Sequence, residues 1–122
     1  MLIDHDHKGY PAGEPPRTPE AIAGAGWQLL RGDLPLPVAL LRQEALAHNL
    51  AWMRDFCAER GLSLAPHGKT TMSPELWRLQ LDAGAWGISF ATVWQAAQGA
   101  RHGVPRLLIA NQVVQWAELD AL

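Results

Sequence analysis

Short apolar runs alternate with helical patterns along most of this chain, and no other feature constrains its fold as strongly. The runs are about four residues long and begin roughly 20 to 25 residues apart. They are Val38–Leu41, Leu62–Ala65, Ile88–Ala91 and Leu107–Ala110. Apolar runs of this length are typical of buried strands, and strands that alternate with helices form a parallel sheet covered by those helices. The sequence therefore predicts an α/β fold.

The first predicted helix covers about residues 43–60 and ends at Gly61, a residue typical of helix C-termini. Its apolar residues recur at helical spacing and share one face. They are Leu46, Leu50, Met53 and Cys57. Because Cys57 lies on this face, we expect a buried, unreactive thiol there.

Capping residues mark the starts of the next two helices. Ser73 precedes a proline and a glutamate, which is a typical N-cap sequence, and that helix is expected to reach about Asp82. Thr92 caps a third helix that ends near Gly103, and Gln115 begins a fourth helical pattern.

The first 35 residues have a different composition, because prolines and glycines interrupt them too often for a long helix. We predict an irregular N-terminal arm over residues 1–35, with Trp27 as the anchor of its apolar stretch. Residues 36–122 carry the four strand–helix units.

Two architectures fit four such units, an open doubly wound sheet and a (β/α)8 barrel. No G-x-G-x-x-G fingerprint follows the first strand, which weighs against a dinucleotide-binding sheet. A complete barrel needs about 250 residues, so 122 residues suffice for half of one. The chain also stops within a helical pattern, and we expect it to be the N-terminal part of a longer TIM barrel.

Charge and composition exclude several classes of function. Ten basic against twelve acidic residues, with no basic run, disfavour nucleic-acid binding. The apolar runs are too short to span a membrane, and the N-terminus lacks the apolar segment of a signal peptide. A single cysteine excludes an internal disulfide. We therefore expect a cytoplasmic protein that binds neither nucleic acid nor membrane.

Lys69 is the main candidate for chemistry, because it follows the second predicted strand and the chain has only one other lysine, Lys8. Functional groups gather at the carboxyl ends of parallel strands. A lysine there can form a Schiff base with a carbonyl compound, although an ordinary exposed lysine is the alternative. His67 would share its face if the backbone stayed extended. Asn111, after the fourth strand, is a weaker candidate ligand.

The segment Asp4–His7 superficially resembles a metal-binding tract. No complementary cluster of ligands occurs elsewhere in the sequence, so we predict no metal site in this chain.

The segment Pro66–Thr70 resembles the Pro-His-x-Lys-Thr motif of the D-threonine aldolase and D-serine dehydratase group, within the fold-type III pyridoxal-phosphate enzymes that also include alanine racemase. Further segments, in the same order, resemble the bacterial amino acid deaminase branch and extend the similarity over nearly the whole chain. They are Lys8–Pro11, Gly32–Leu41, Ala47–Asn49, Thr71–Pro74, Gly84–Ile88, Ala91–Val93 and Ala110–Gln112.

The resemblance implies that Lys69 binds pyridoxal 5'-phosphate as a Schiff base at the mouth of an alanine racemase-like barrel. His67, Thr70 and Asn111 are then the other expected cofactor-binding residues. The implied activity is a D-amino-acid deaminase, which converts a D-serine-like substrate to a 2-oxo acid and ammonia. We expect the complete enzyme to be a homodimer, and a divalent metal would bind only through residues that this chain lacks.

Other activities stay open. Related dehydratases and aldolases commonly have a second basic pair after the cofactor lysine, whereas Thr71 and Met72 stand here, which favours the deaminase branch over aldolase or zinc-dependent dehydratase chemistry. D-threonine aldolase is the next alternative, followed by an amino-acid racemase. An alternative of another class is a catalytically incomplete half-barrel that only binds the cofactor or self-associates through its open sheet edges.

Overall fold

A parallel pair of strands lies at the centre of the second half of the chain. The computed structural model describes residues 2–122. Strand β1 spans Ile88–Phe90 and strand β2 spans Leu107–Ile109, and they pair in parallel with Ser89 opposite Leu108. Both strands lie within predicted apolar runs. The predicted α/β class with parallel strands is therefore confirmed, and the described sheet has two strands rather than the expected four.

A third extended segment accompanies β1 without becoming a full strand. The N–H of Ser89 donates to the carbonyl of Pro66, and the N–H of Gly68 donates to the carbonyl of Ser89, both at 2.8 Å. These bonds make a single parallel bridge between His67 and Ser89. The next bridge would need a backbone donor at position 66, which proline lacks. The predicted strand Leu62–Ala65 is therefore wrong, because the pairing is limited to one bridge displaced toward His67.

The predicted first strand, Val38–Leu41, is also wrong. No backbone hydrogen bond joins this run to another of the residues 2–122, and Leu40 and Leu41 are exposed. An apolar run becomes a strand only where a neighbouring backbone completes its hydrogen bonds. That requirement does not depend on the residues within the run.

Residues 2–122 contain five helices, α1 (Pro19–Ala23), α2 (Gln43–Glu59), α3 (Pro74–Asp82), α4 (Val93–Arg101) and α5 (Trp116–Leu119). The sequence patterns predict α2 to α5, whereas α1 forms within the segment that is expected to be irregular. Ser73 caps α3 by accepting the N–H of Leu76, and Thr92 caps α4 by accepting the N–H of Gln95 at 3.2 Å. The predicted N-caps of both helices are confirmed, whereas the last helix is shorter than expected.

The chain divides into two units, one running to Arg42 and the other spanning Gln43–Leu122. The sequence placed the arm boundary earlier, at residue 35. The first unit is irregular apart from α1 and a short 3-10 turn at Leu29–Arg31. Within it, the ring of Trp27 packs edge-on against buried Tyr10, with ring centroids 5.2 Å apart.

The core of the second unit is small and largely aromatic. Trp77 of α3 packs edge-to-face on Phe90 of β1, with centroids 5.1 Å apart. Gly99 of α4 lies so close to the Phe90 ring that an added Cβ would be 2.7 Å from it. A glycine is therefore required where α4 crosses the sheet. Other members of this core are Ile88, Ala96 and Val104.

The helices of residues 2–122 include none that is both long enough and apolar enough to cross a membrane.

The Ser73 cap can be tested by substitution. Replacing Ser73 with Ala removes the acceptor for the Leu76 N–H, and we expect unfolding in urea, followed by circular dichroism, to show a loss of about 1 kcal/mol. Ser73→Asp is the control, because its carboxylate can accept the same bond. An unchanged midpoint for Ser73→Ala would show that the cap contributes nothing.

Candidate functional site

The carboxyl ends of the parallel segments meet at one edge of the second unit. One row of paired residues crosses the extended segment at His67 and the two strands. In it His67 pairs with Ser89 of β1, and Ser89 pairs with Leu108 of β2. The loops that follow this row form what we call the carboxyl rim. It comprises residues 67–71, 91–92 and 110–112. In parallel α/β proteins this is the edge at which ligands bind.

Lys69 lies on the rim in an exposed turn of three residues, Lys69–Thr71, between the bridge at His67 and the N-cap Ser73. Among residues 2–122, no partner forms a salt bridge or a side-chain hydrogen bond with Lys69. The chain therefore presents its amine to solvent at the edge where a ligand is expected. Lys69 therefore lies where the sequence predicts it, directly after the extended segment.

Gly68 holds the start of this turn in the core. Its N–H donates to the Ser89 carbonyl at 2.8 Å, and its own carbonyl accepts the indole N–H of Trp77 at 3.2 Å. A Cβ at Gly68 would be 2.6 Å from both Ile88 and Trp77. No side chain fits there, so the residue before Lys69 must be glycine for the backbone to lie this close to the core.

The other end of the turn is closed by Met72. Its N–H donates to the Gly68 carbonyl at 3.1 Å, and its φ of 47° lies in the left-handed region. A non-glycine residue in that region costs free energy that the surrounding contacts must offset. Met72 also packs against the core. The turn that carries Lys69 is therefore fixed at both ends.

The other predicted cofactor-binding residues lie on the same rim, and within residues 2–122 no side-chain hydrogen bond joins them to one another. His67 and Thr70 are exposed, and so is Asn111, whose side-chain oxygen accepts the N–H of Gln112 at 3.0 Å. Two strand spacings, about 10 Å, separate the backbones at His67 and Leu108, the paired residues that precede these loops. The backbone turns at Lys69, so the extended geometry that would have put His67 and Lys69 on one face ends at Gly68.

Polar groups near the rim are held by local hydrogen bonds. The Gln95 side-chain oxygen accepts the N–H of Ala91, where β1 ends. In the first turn of α3, a hydrogen bond from the backbone of Glu75 and one from the Ser73 hydroxyl lower the pKa of the Glu75 carboxyl. The carboxylate therefore stays ionised beside the positive end of the helix.

Sequence patterns do not identify two residues that are important to the site, Trp77 and Gly68. The signal for Gly68 was its place inside the Pro66–Thr70 motif. The contact that requires a glycine there comes from a residue nine positions away, so no local pattern shows it.

Cys57 and the segment Asp4–His7 are the remaining residues considered from the sequence. Cys57 is half-buried rather than buried as expected, and it lines a mostly apolar cavity of about 430 Å³ between α2 and the segments 62–66 and 80–85. Asp4 and His7 bond to each other, with Oδ1 and Nδ1 3.1 Å apart. No three potential metal ligands cluster within residues 2–122.

Comparison with known proteins identifies the relatives of this chain. No family model matches it. The 3-hydroxy-D-aspartate aldolase of Paracoccus denitrificans is 30% identical over 91 residues, which are 74% of this chain and 24% of the aldolase. The crystal structure of D-threonine aldolase from Filomicrobium marinum matches with a TM-score of 0.69 at 30% identity, over 73% of this chain and 24% of that one.

A variant of D-threo-3-hydroxyaspartate dehydratase matches with a TM-score of 0.63 at 31% identity, over 66% of this chain and 21% of the dehydratase. Over about three quarters of its length this chain is homologous to members of the D-threonine aldolase and D-serine dehydratase group. The resemblance read from the Pro66–Thr70 motif is thereby confirmed. The chain spans about a quarter of the length of the relatives that it matches.

The requirement for glycine before the candidate lysine can be tested directly. Gly68→Ala forces Trp77 or Ile88 to move, and we expect chemical denaturation to show a loss of about 1–3 kcal/mol. Gly24→Ala is the control, because its added Cβ meets nothing closer than 3.8 Å and its φ is −86°. That change should be neutral or stabilising by up to about 1 kcal/mol. Equal stabilities for both variants would contradict the packing argument.

Proposed function

We propose that this chain carries the cofactor-binding lysine of a pyridoxal-phosphate-dependent lyase that acts on D-amino acids. The observation that carries the proposal is the position of Lys69 on a fixed turn at the carboxyl rim, within the motif shared with the relatives' group. In this proposal residues 36–122 form the first half of an alanine racemase-like barrel and residues 1–35 form an arm. The complete enzyme is then a cytoplasmic homodimer.

The residues on the rim suit such a cofactor. Lys69 offers an unpaired amine, which can bond covalently to an aldehyde. His67, Thr70 and Asn111 offer an imidazole, a hydroxyl and an amide, all exposed on the same edge. These groups can hydrogen-bond to the polar substituents of the cofactor. Pyridoxal phosphate, when bound, supplies an electron sink for negative charge that develops at the substrate Cα.

Lys69 has two tasks in this scheme. It first holds the cofactor through its amine. Once its amine is free, Lys69 would be the group of this chain that accepts the Cα proton. The fixed backbone on either side of Lys69 limits the positions from which its amine can act, which is the contribution that orientation makes to catalysis.

The fate of the substrate β-carbon distinguishes the possible reactions. Our leading candidate is deamination: D-serine loses its Cα proton and its β-hydroxyl, and hydrolysis then releases ammonia and pyruvate. The alternative is aldol cleavage of a β-hydroxy D-amino acid to glycine and an aldehyde. The relatives include two proteins named as aldolases and one named as a dehydratase, so both reactions have support.

The cofactor lysine can be identified by trapping. Pyridoxal phosphate and borohydride convert a lysine that has condensed with the aldehyde, with loss of water, into a stable secondary amine. Because the chain has only Lys8 and Lys69, peptide mass spectrometry measures both, and Lys8 is an internal control. We expect preferential labelling of Lys69, a visible absorbance band before reduction, and loss of both in Lys69→Ala but not in Lys8→Ala. Equal labelling of the two lysines would refute the proposal.

Substrate assays separate the alternatives. We expect ammonia and pyruvate from D-serine, measured by coupled dehydrogenase assays, and no turnover by Lys69→Ala. Glycine and acetaldehyde from D-threonine would identify an aldolase instead, and L-serine formed from D-serine would identify a racemase. Labelling of Lys69 without any turnover would support the alternative of a half-barrel that binds the cofactor only. Size-exclusion chromatography would then measure its self-association.

A further inference from the structure

We propose that Trp77 is a positioning residue for Lys69, acting through the carbonyl of Gly68. This inference rests on the proposed role of Lys69 in binding the cofactor. Trp77 is 2% exposed, and its indole N–H donates to the Gly68 carbonyl at 3.2 Å. Trp77 is a buried member of the core, yet its one polar atom is bonded to the backbone immediately before the candidate lysine.

The bond controls the peptide unit that joins Gly68 to Lys69. A peptide is planar, so the oxygen of Gly68 and the nitrogen and Cα of Lys69 move as one body. The same oxygen accepts the N–H of Met72 at 3.1 Å. Two donors therefore fix the orientation of this plane, one from the core and one from the end of the turn. That orientation fixes the direction of the N–Cα bond of Lys69, and so the position from which its side chain starts.

Gly68 by itself would not restrain the orientation of the peptide plane that joins it to Lys69. Glycine populates more backbone conformations than any other residue, so a loop that begins with glycine needs other restraints. The tight contacts of Gly68 with Ile88 and Trp77 exclude a side chain at this position. The close approach that demands glycine thus also brings its carbonyl within reach of the indole N–H. The close contact between Gly68 and Trp77 therefore has two consequences. It requires a flexible residue at position 68, and it supplies the hydrogen bond that restrains that residue.

Trp77 is itself well held, as a positioning residue must be. Its ring packs at 87° against Phe90, with centroids 5.1 Å apart, and lies 6.3 Å from the ring of His102. Phe90 ends β1, whose register against β2 is set by the ladder. The orientation of Lys69 is therefore tied to the sheet through Trp77 and not only through the loop.

The test compares Trp77→Phe, which keeps an aromatic ring and removes the N–H, with Val104→Ala. Val104 belongs to the same core but precedes β2, at the edge opposite the rim. The Val104→Ala substitution therefore removes packing from the core and leaves the hydrogen bond to Gly68 in place. Each variant is treated with pyridoxal phosphate and borohydride under native conditions, and the ratio of labelled Lys69 to labelled Lys8 is measured. Urea unfolding, followed in parallel, identifies the conditions under which both variants are equally folded.

We expect Trp77→Phe to lower the Lys69-to-Lys8 ratio about fivefold, the effect of one lost hydrogen bond, while Val104→Ala leaves it unchanged. If Trp77→Phe does not fold, benzothienylalanine at position 77 keeps the shape of the indole and replaces its N–H with sulfur. The same fivefold fall is expected for it.

The outcomes distinguish this inference from the proposed function. A wild-type ratio near one would overturn the function proposed for Lys69 and this inference with it. A high wild-type ratio that survives loss of the Trp77 N–H would overturn the inference alone. An equal fall in Trp77→Phe and Val104→Ala would also overturn it, because general loss of packing would then account for the effect.

Discussion

The indole of Trp77 is the group on which the rest of the second unit depends. Its ring fills the core against Phe90, while its N–H satisfies the carbonyl of Gly68. A buried indole N–H left without an acceptor costs about 1–3 kcal/mol, and a buried aromatic ring is among the largest contributions to a small core. Because one side chain meets both requirements, the packing of α3 on the sheet and the shape of the rim loop are inseparable.

This coupling explains how a small sheet can support a site. Two strands and a single bridge form a limited ladder, yet they align three loops at one edge. The loop with Lys69 is held by the core at Gly68 and closed at Met72, while the side chains between them stay exposed. A restrained backbone with free side chains is what a covalent cofactor site needs, since the amine must be accessible and its direction defined.

Much of this arrangement could be predicted because it depends on short-range signals. Ser73 and Thr92 cap helices through bonds to residues three positions later, so their patterns are visible in the sequence. Residues close together in the sequence also suffice to recognise that Lys69 follows an extended segment and that its motif resembles a known family. The strand predictions failed at two apolar runs. Val38–Leu41 has no backbone partner within residues 2–122, and Leu62–Ala65 is followed by Pro66, which lacks the N–H donor that the next bridge requires.

The sequence by itself determined helices α2, α3 and α4 and the loop that carries the candidate lysine, because caps and helical spacing act within a few residues. Tertiary structure alone decided which runs became strands, since a strand needs a partner that its own residues do not specify. It also decided the orientation of the peptide before Lys69, because the donor that fixes it, Trp77, comes from the next helix and reaches Gly68 only once the core has packed.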